Sequence, residues 1–142
     1  MTAPRFRIAE VERFEWPFRL RMPFRFGVIT VTHGRQAVIR ARIRIEDGRE
    51  GWGIAAETLA AKWFDKDPRW TDAQNEDQLR RALELACGAS LAAGLDTAFG
   101  HFANQYVAQV ATGAAEELNP LVASYGRALL DRAALDALLK IE

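Results

Sequence analysis

Between Ala37 and Ile45 the chain alternates with a period of two. Ala37, Ile39, Ala41, Ile43 and Ile45 are apolar, while Val38, Arg40, Arg42 and Arg44 fill the positions between them. Successive side chains on a strand point to opposite faces, so this run predicts one buried and one solvated face. Asp47-Gly48 comes next. That pair tolerates positive φ and predicts a two-residue hairpin turn into a second strand from Arg49 to Ala55.

The segment ahead of this hairpin, Ile8 to Arg25, is rich in aromatics and arginine and contains Pro17 and Pro23. Proline cannot donate to a sheet ladder, so the segment reads as an edge strand with irregular stretches. It pairs with the Ala37 strand after a connection from Gly27 to Arg35, giving a three-stranded antiparallel meander over residues 5–57. Residues 58–70 form a loop in which Lys62-Trp63-Phe64-Asp65-Lys66-Asp67-Pro68 has neither the helix nor the strand period. Trp63 and Phe64 there are either a plug that anchors the loop or a wall of a ligand pocket, and both readings stand.

The helical part covers residues 71–142. Thr71-Asp72-Ala73-Gln74 has capping-box spacing and predicts a helix start. Glu76 with Arg80 and Asp77 with Arg81 are i,i+4 pairs, and Gly94 marks the expected stop. Leu95, Phe99, Phe102, Tyr106 and Val110 recur as one apolar stripe on a second helix ending near Thr112-Gly113. Pro120 opens a third helix that runs to the end of the chain. The expected fold class is therefore α+β, a three-stranded antiparallel meander followed by three main helices in a single domain.

On the third helix the leucines at 129, 130, 135, 138 and 139 leave only Asp131, Arg132 and Asp136 as a polar arc. A helix apolar most of the way round requires neighbours on more than one side, which predicts a missing partner. That partner is either the rest of a longer polypeptide or a second copy of the chain, an oligomer.

Nineteen basic and nineteen acidic residues cancel, so no global field draws the chain to nucleic acid or to a membrane surface. No stretch reaches the roughly 20 apolar residues of a membrane span, and the first residues lack the apolar run of a signal peptide. Cytoplasm is the expected compartment. Cys87 is the single cysteine and reads as a small buried apolar group.

Asp65 and Asp67 read as a solvated turn rather than an acid/base pair. His33 reads as an exposed loop imidazole in a region of functional interest, and His101 as a boundary residue one step off the aromatic stripe. Two distant histidines and one cysteine give no metal-ligand spacing, so no metal is expected on this chain. Arg40, Arg42 and Arg44 with the aromatics from Phe14 to Phe26 could form a stacking face for single-stranded nucleic acid. The competing reading is a solvated arginine face offset by Glu10, Glu12 and Glu15. There is no glycine-rich phosphate loop and no nucleophile elbow.

Met22-Pro23-Phe24-Arg25-Phe26-Gly27, the alternating strand, Asp47-Gly48 and Gly51-Trp52-Gly53 occur in that order, with three helices after them. In this order and spacing the chain resembles the N-terminal capping domain of the enolase superfamily, in its mandelate racemase and muconate-lactonizing branch. The run from Arg127 to Leu138 resembles the helix with which that family crosses into its barrel. The resemblance implies that two loops, here Phe24 to Arg35 and Ala55 to Trp63, close over the mouth of a (β/α)8 barrel. In the family that barrel carries the bases and the Mg²⁺ ligands which remove a proton next to a carboxylate in racemases, dehydratases and cycloisomerases.

The implied specificity residues are Phe24, Phe26, Val28, Ile29, His33, Glu57, Lys62 and Trp63. No catalytic residue and no metal ligand is expected in this chain, so Mg²⁺, the small carboxylate substrate and the isomerase or lyase activity would belong to a full-length parent. Members commonly place a glutamate after Gly-Trp-Gly. Here that position is Ile54, and the nearest carboxylate is Glu57. The alternative from another class is a self-contained binding module that uses the arginine-aromatic sheet face.

Overall fold

A computed structural model describes residues 3–142. The elements run β1 (Arg5–Phe26), β2 (Ile29–Ile45), β3 (Glu50–Thr58), α1 (Asp72–Ala92), β4 (Asp96–Thr97), α2 (Ala98–Ala115) and α3 (Pro120–Ile141). The fold is α+β, with one antiparallel sheet in the order β3-β2-β1-β4. The sheet has four strands where the sequence pattern predicts three, because Asp96 and Thr97 pair with Phe6 and Arg5. Two residues are too short for any periodicity to register. β1 is accordingly an edge strand beyond Phe6, which is where its prolines can sit without breaking a ladder.

The period-two reading of β2 holds. Ala37, Ile39, Ala41, Ile43 and Ile45 are buried, and α1 and α3 cover them together with Phe6 and Ile8. Val38 is buried as well, on the opposite face between Phe14 of β1 and Ala56 of β3. On that outer face Glu12 holds Arg40 at 3.0 Å, Glu10 holds Arg42 at 3.0 Å, and Glu50 holds Arg42 and Arg44, each at 2.6 Å. Arg40 also lies 4.2 Å over the Trp52 ring, a cation–π placement. Glu15 does not join this offset. A register shift between Ile8 and Glu10 puts it opposite Ala37, on the helix side, where it accepts from Arg35 and Arg80.

Both hairpin connections differ in length from expectation. The β2–β3 turn spans four residues, 46–49, with Gly48 at φ 93° and Asp47 Oδ1 accepting the Arg49 N–H at 3.0 Å. The expected long connection from Gly27 to Arg35 is instead mostly strand. A two-residue turn at Gly27 and Val28, with Gly27 at φ 54°, joins Phe26 directly to Ile29.

α3 lies against β3 so closely that a Cβ on Gly53 would sit 2.0 Å from the Ala133 carbonyl oxygen and 2.2 Å from the Ala137 nitrogen. Only glycine permits this approach. Gly126 does the same for the crossing with α1, where a Cβ would meet the Ala82 carbonyl oxygen at 2.1 Å. The α1 capping box forms as read, with Thr71 Oγ1 accepting from the Gln74 N–H and Gln74 Oε1 from the Thr71 N–H. Arg80 pairs with Glu76. Arg81 turns instead to Glu84 and Glu116, and Asp77 goes to Arg80. The helix stops at Ala92 with Ala93 extended, so Gly94 is not the left-handed cap that its position suggests.

α2 departs furthest from its sequence pattern. Leu95 lies before the helix, and Phe99, Phe102 and Tyr106 face solvent while His101, Gln109 and Gly113 are buried. His101 is thus a core residue rather than a boundary one. The inward face is small and polar because its groups find partners. His101 Nε2 donates to the Phe6 carbonyl at 2.8 Å, and Gln105 Nε2 donates to His101 Nδ1 at 3.3 Å. Gln105 Oε1 accepts from the buried Arg127 at 2.7 Å. Gln109 donates to the carbonyls of Ala82 and Ala123 at 2.9 and 3.0 Å. The inward polar side chains of α2 are thereby engaged by neighbouring elements.

α3 is covered within the domain on most of its circumference, since Leu129, Leu130 and Leu138 are buried with Ala133, Ala134 and Ala137. Only Leu121, Leu135 and Leu139 stand out among its leucines. The leucine pattern thus overstates how much of this helix lacks cover within its own domain. Cys87 is buried, and desolvation pushes its thiol up to about 11.

Candidate functional site

Beyond Gln36 the β1–β2 hairpin projects past the end of β3. In β1, Leu20, Arg21, Met22 and Pro23 form a bulge, because pairing skips from Arg19 opposite His33 to Phe24 opposite Val31. The extra residues bend the strand and re-aim its last turn of side chains. Phe24 and Phe26 then stand opposite Val31 and Ile29 on one face. The segment after β3 returns toward this tip, and the Trp63 ring meets Phe26 edge-on with centroids 5.1 Å apart.

Between hairpin tip and returning segment lies an open groove of about 780 Å³. Phe18, Leu20, Met22, Phe24, Phe26 and Trp63 supply most of its apolar wall. Glu57 is the one ionisable side chain among the residues that line it. Its Oε2 accepts from Arg132 at 3.1 Å and its Oε1 from the Thr58 N–H at 3.1 Å. A Mg²⁺ ion needs several convergent oxygen ligands in near-octahedral array, and one carboxylate already held by a guanidinium does not fit that need. Among the described residues no group of three or more His, Cys, Asp or Glu side chains comes together.

The sequence-named residues divide into three sets. Phe24, Phe26, Glu57 and Trp63 share the groove. Ile29 and His33 line a second cleft of about 300 Å³ that shares Phe18, Phe26 and Val31 with it. There His33 is exposed, with Nδ1 3.0 Å from Thr32 Oγ1. Val28 and Lys62 point elsewhere. Val28 is fully exposed at the turn. Lys62, at φ 62°, donates to the carbonyls of Asp67 and Trp70 and so ties the loop to itself.

Both rings of the aromatic pair border the groove, and they differ in how far they are packed. Phe64 packs against the core, edge-on to Tyr125 at 5.1 Å, while Trp63 stays half-exposed over the groove. Burial pushes the Tyr125 phenol well above its usual range, and its hydroxyl donates to the Glu57 carbonyl at 3.2 Å. Asp67 is a turn residue as read. Arg69 holds its carboxyl down to about 2, so it stays ionised and cannot act as an acid near neutrality.

Phe18, Leu20, Met22 and Val31 are further wall residues, outside the set expected to confer specificity. Their signal is present, since from Phe14 to Phe26 every even position is apolar and every odd one is arginine, glutamate or proline. That alternation reads as a possible stacking face, and the structure turns its last members into a groove wall.

No family model matches the chain. No curated protein matches it either. Among solved structures, the chain is similar to a substrate-liganded complex of the L-Ala-D/L-Glu epimerase from Bacillus subtilis. The identity is 22% and the TM-score 0.38, over 62% of this chain and 21% of that one. The chain thus spans about one fifth of that enzyme's length, and a likeness at this score carries neither a fold nor an activity across. No helix among the described residues is long and apolar enough to cross a membrane.

Proposed function

We propose that the chain is a capping domain of the enolase-superfamily kind, which shapes and dries a pocket whose bond-breaking groups lie on a partner barrel. The observation that supports this is the convergence of the hairpin tip with the segment after β3 into one aromatic-walled groove. These are the two segments that the sequence resemblance matches to the loops over a barrel mouth. The reading rests on that resemblance and on the groove, not on the fragmentary epimerase likeness.

In this reading Phe24, Phe26 and Trp63 set the size and polarity of the space offered to substrate and exclude water from it. The substrate is a small carboxylate, and the barrel supplies the acid, the base and the Mg²⁺ that stabilises developing negative charge. Cytoplasmic location and a racemase, dehydratase or cycloisomerase reaction belong to the same proposal. The arginine face of the sheet takes no part. Its guanidiniums are already held by Glu10, Glu12 and Glu50, which weighs against a phosphate-binding module.

The test uses the polypeptide in which this chain is joined to a barrel, assayed with Mg²⁺ over α-hydroxy acids, acid sugars and bulky apolar carboxylates. Trp63→Ala is expected to change the ratio of kcat/KM between bulky and small substrates by about tenfold or more, with little change in melting temperature. An unchanged ratio across the panel, in a variant that folds normally, would overturn the cap role.

A further inference from the structure

α2 is built inside out, and this feature lies apart from the groove. Its inward positions, His101, Gln105, Gln109 and Gly113, recur every four residues and are polar or small. Its outward positions carry a ladder of aromatic rings, with Phe99 and Phe102 at 6.1 Å and Phe102 and Tyr106 at 5.2 Å. From Thr97 to Ala115 there is no Asp, Glu, Lys or Arg, in a chain that holds 38 such residues as 19 basic plus 19 acidic. Surface helices ordinarily present charge to water and bury their apolar stripe. Here the arrangement is reversed, although the inward polar side chains are engaged with α1, α3 and β1.

We infer that the outward face of α2 is the interface of a two-fold homodimer. Three observations favour a second copy as the occupant. A two-fold axis crossing α2 sets the helix antiparallel to its copy, which opposes the two macrodipoles favourably. The α2 part of the face has no charged side chain, and in the cleft it shares with Leu135 the only charges are Arg127 and Asp131, already paired with each other, so apposing the face with itself buries no unpaired ion. The exposed area is also of suitable size. Phe99 is 74% exposed, Phe102 39%, Tyr106 37% and Val107 73%, and Leu135 of α3, at 43%, borders the same cleft as Phe99 and Phe102. With about 150–250 Å² on each aromatic side chain, the band holds on the order of 500 Å² per copy. The pair would then bury about 1,000 Å², the lower bound of a specific interface. An area at that bound belongs to weak, reversible association.

The interface lies along the side of α3 that carries Arg127, Asp131 and Leu135, whereas the groove lies by the side that carries Tyr125 and Arg132, which both bond Glu57. Dimerisation would therefore leave the groove open, and the two readings stand or fall separately.

Sedimentation equilibrium of the 142-residue chain over a dilution series, beside Phe99→Glu and Phe102→Glu, tests this. The wild type is expected to dissociate in the micromolar range, and each glutamate to weaken the dimer at least about a hundredfold with an unchanged melting temperature. Ala103→Cys, at the middle of the stripe, is expected to form a disulfide-linked dimer on oxidation that Phe99→Glu suppresses. A wild type that stays monomeric at every concentration overturns the inference. A dimer that neither glutamate weakens, or an Ala103→Cys chain that does not cross-link although it dimerises, overturns it equally.

Discussion

Phe26 at the tip of the β1–β2 hairpin stands edge-on to Trp63 with ring centroids 5.1 Å apart, and this contact draws the hairpin onto the segment after β3. The neighbouring ring, Phe64, borders the same groove but packs edge-on to Tyr125 against the core. Two adjacent aromatics thus carry different packing loads. Trp63→Ala should cost about 1 kcal/mol, the value of one aromatic pair at a half-exposed site. Phe64→Ala should cost about 3 kcal/mol, because it opens a cavity beneath the loop. Urea denaturation of both variants checks this, and equal losses would mean that Trp63 is also a structural plug.

Gly53 and Gly88 make a contrasting pair. A methyl group at Gly53 would collide with the α3 backbone, so Gly53→Ala should destabilise by about 3 kcal/mol or more. At Gly88, exposed in the C-terminal part of α1, an added Cβ meets nothing within 4 Å. Gly88→Ala should therefore stabilise by about 0.5–1 kcal/mol through helix propensity. Thermal melts of the two variants should move in opposite directions, and a tolerated Gly53→Ala would show that α3 can retreat from β3.

Stability should fall in acid partly through Glu15. Hydrogen bonds from Arg80 and then Arg35 hold its carboxyl at about 2, below the usual 4.5. A depressed folded-state value means that the unfolded chain binds the proton more readily. The contribution is therefore complete above about pH 4.5 and is lost as pH falls toward about 2, on the order of 2 kcal/mol after solvent screening. Urea midpoints measured from about pH 6 down to about pH 2.5 should drop less steeply in Glu15→Gln than in the wild type. Parallel curves would show that the two arginines do not hold Glu15 in solution.

The sequence by itself determined whatever depends on neighbours along the chain. The buried face of β2, the Thr71 capping box and the start of α3 at Pro120 are each set by local periodicity or local hydrogen bonding, and each formed as read. The alternation of apolar residues from Phe14 to Phe26 was also legible, although not that its members from Phe18 onward would wall a groove. Tertiary structure decided everything that depends on which groups find partners across elements. Sequence pattern put the aromatic stripe of α2 inward, but His101, Gln105 and Gln109 found the Phe6 carbonyl, Arg127 and the Ala82 and Ala123 carbonyls, and the aromatics turned out. Likewise, period cannot tell how close α3 comes to Gly53, how a bulge re-aims Phe24 and Phe26, or which of Trp63 and Phe64 is core. The physical reason is the same in each case. Periodicity records which residues could share a face, and only the packed arrangement of strands and helices determines what that face meets.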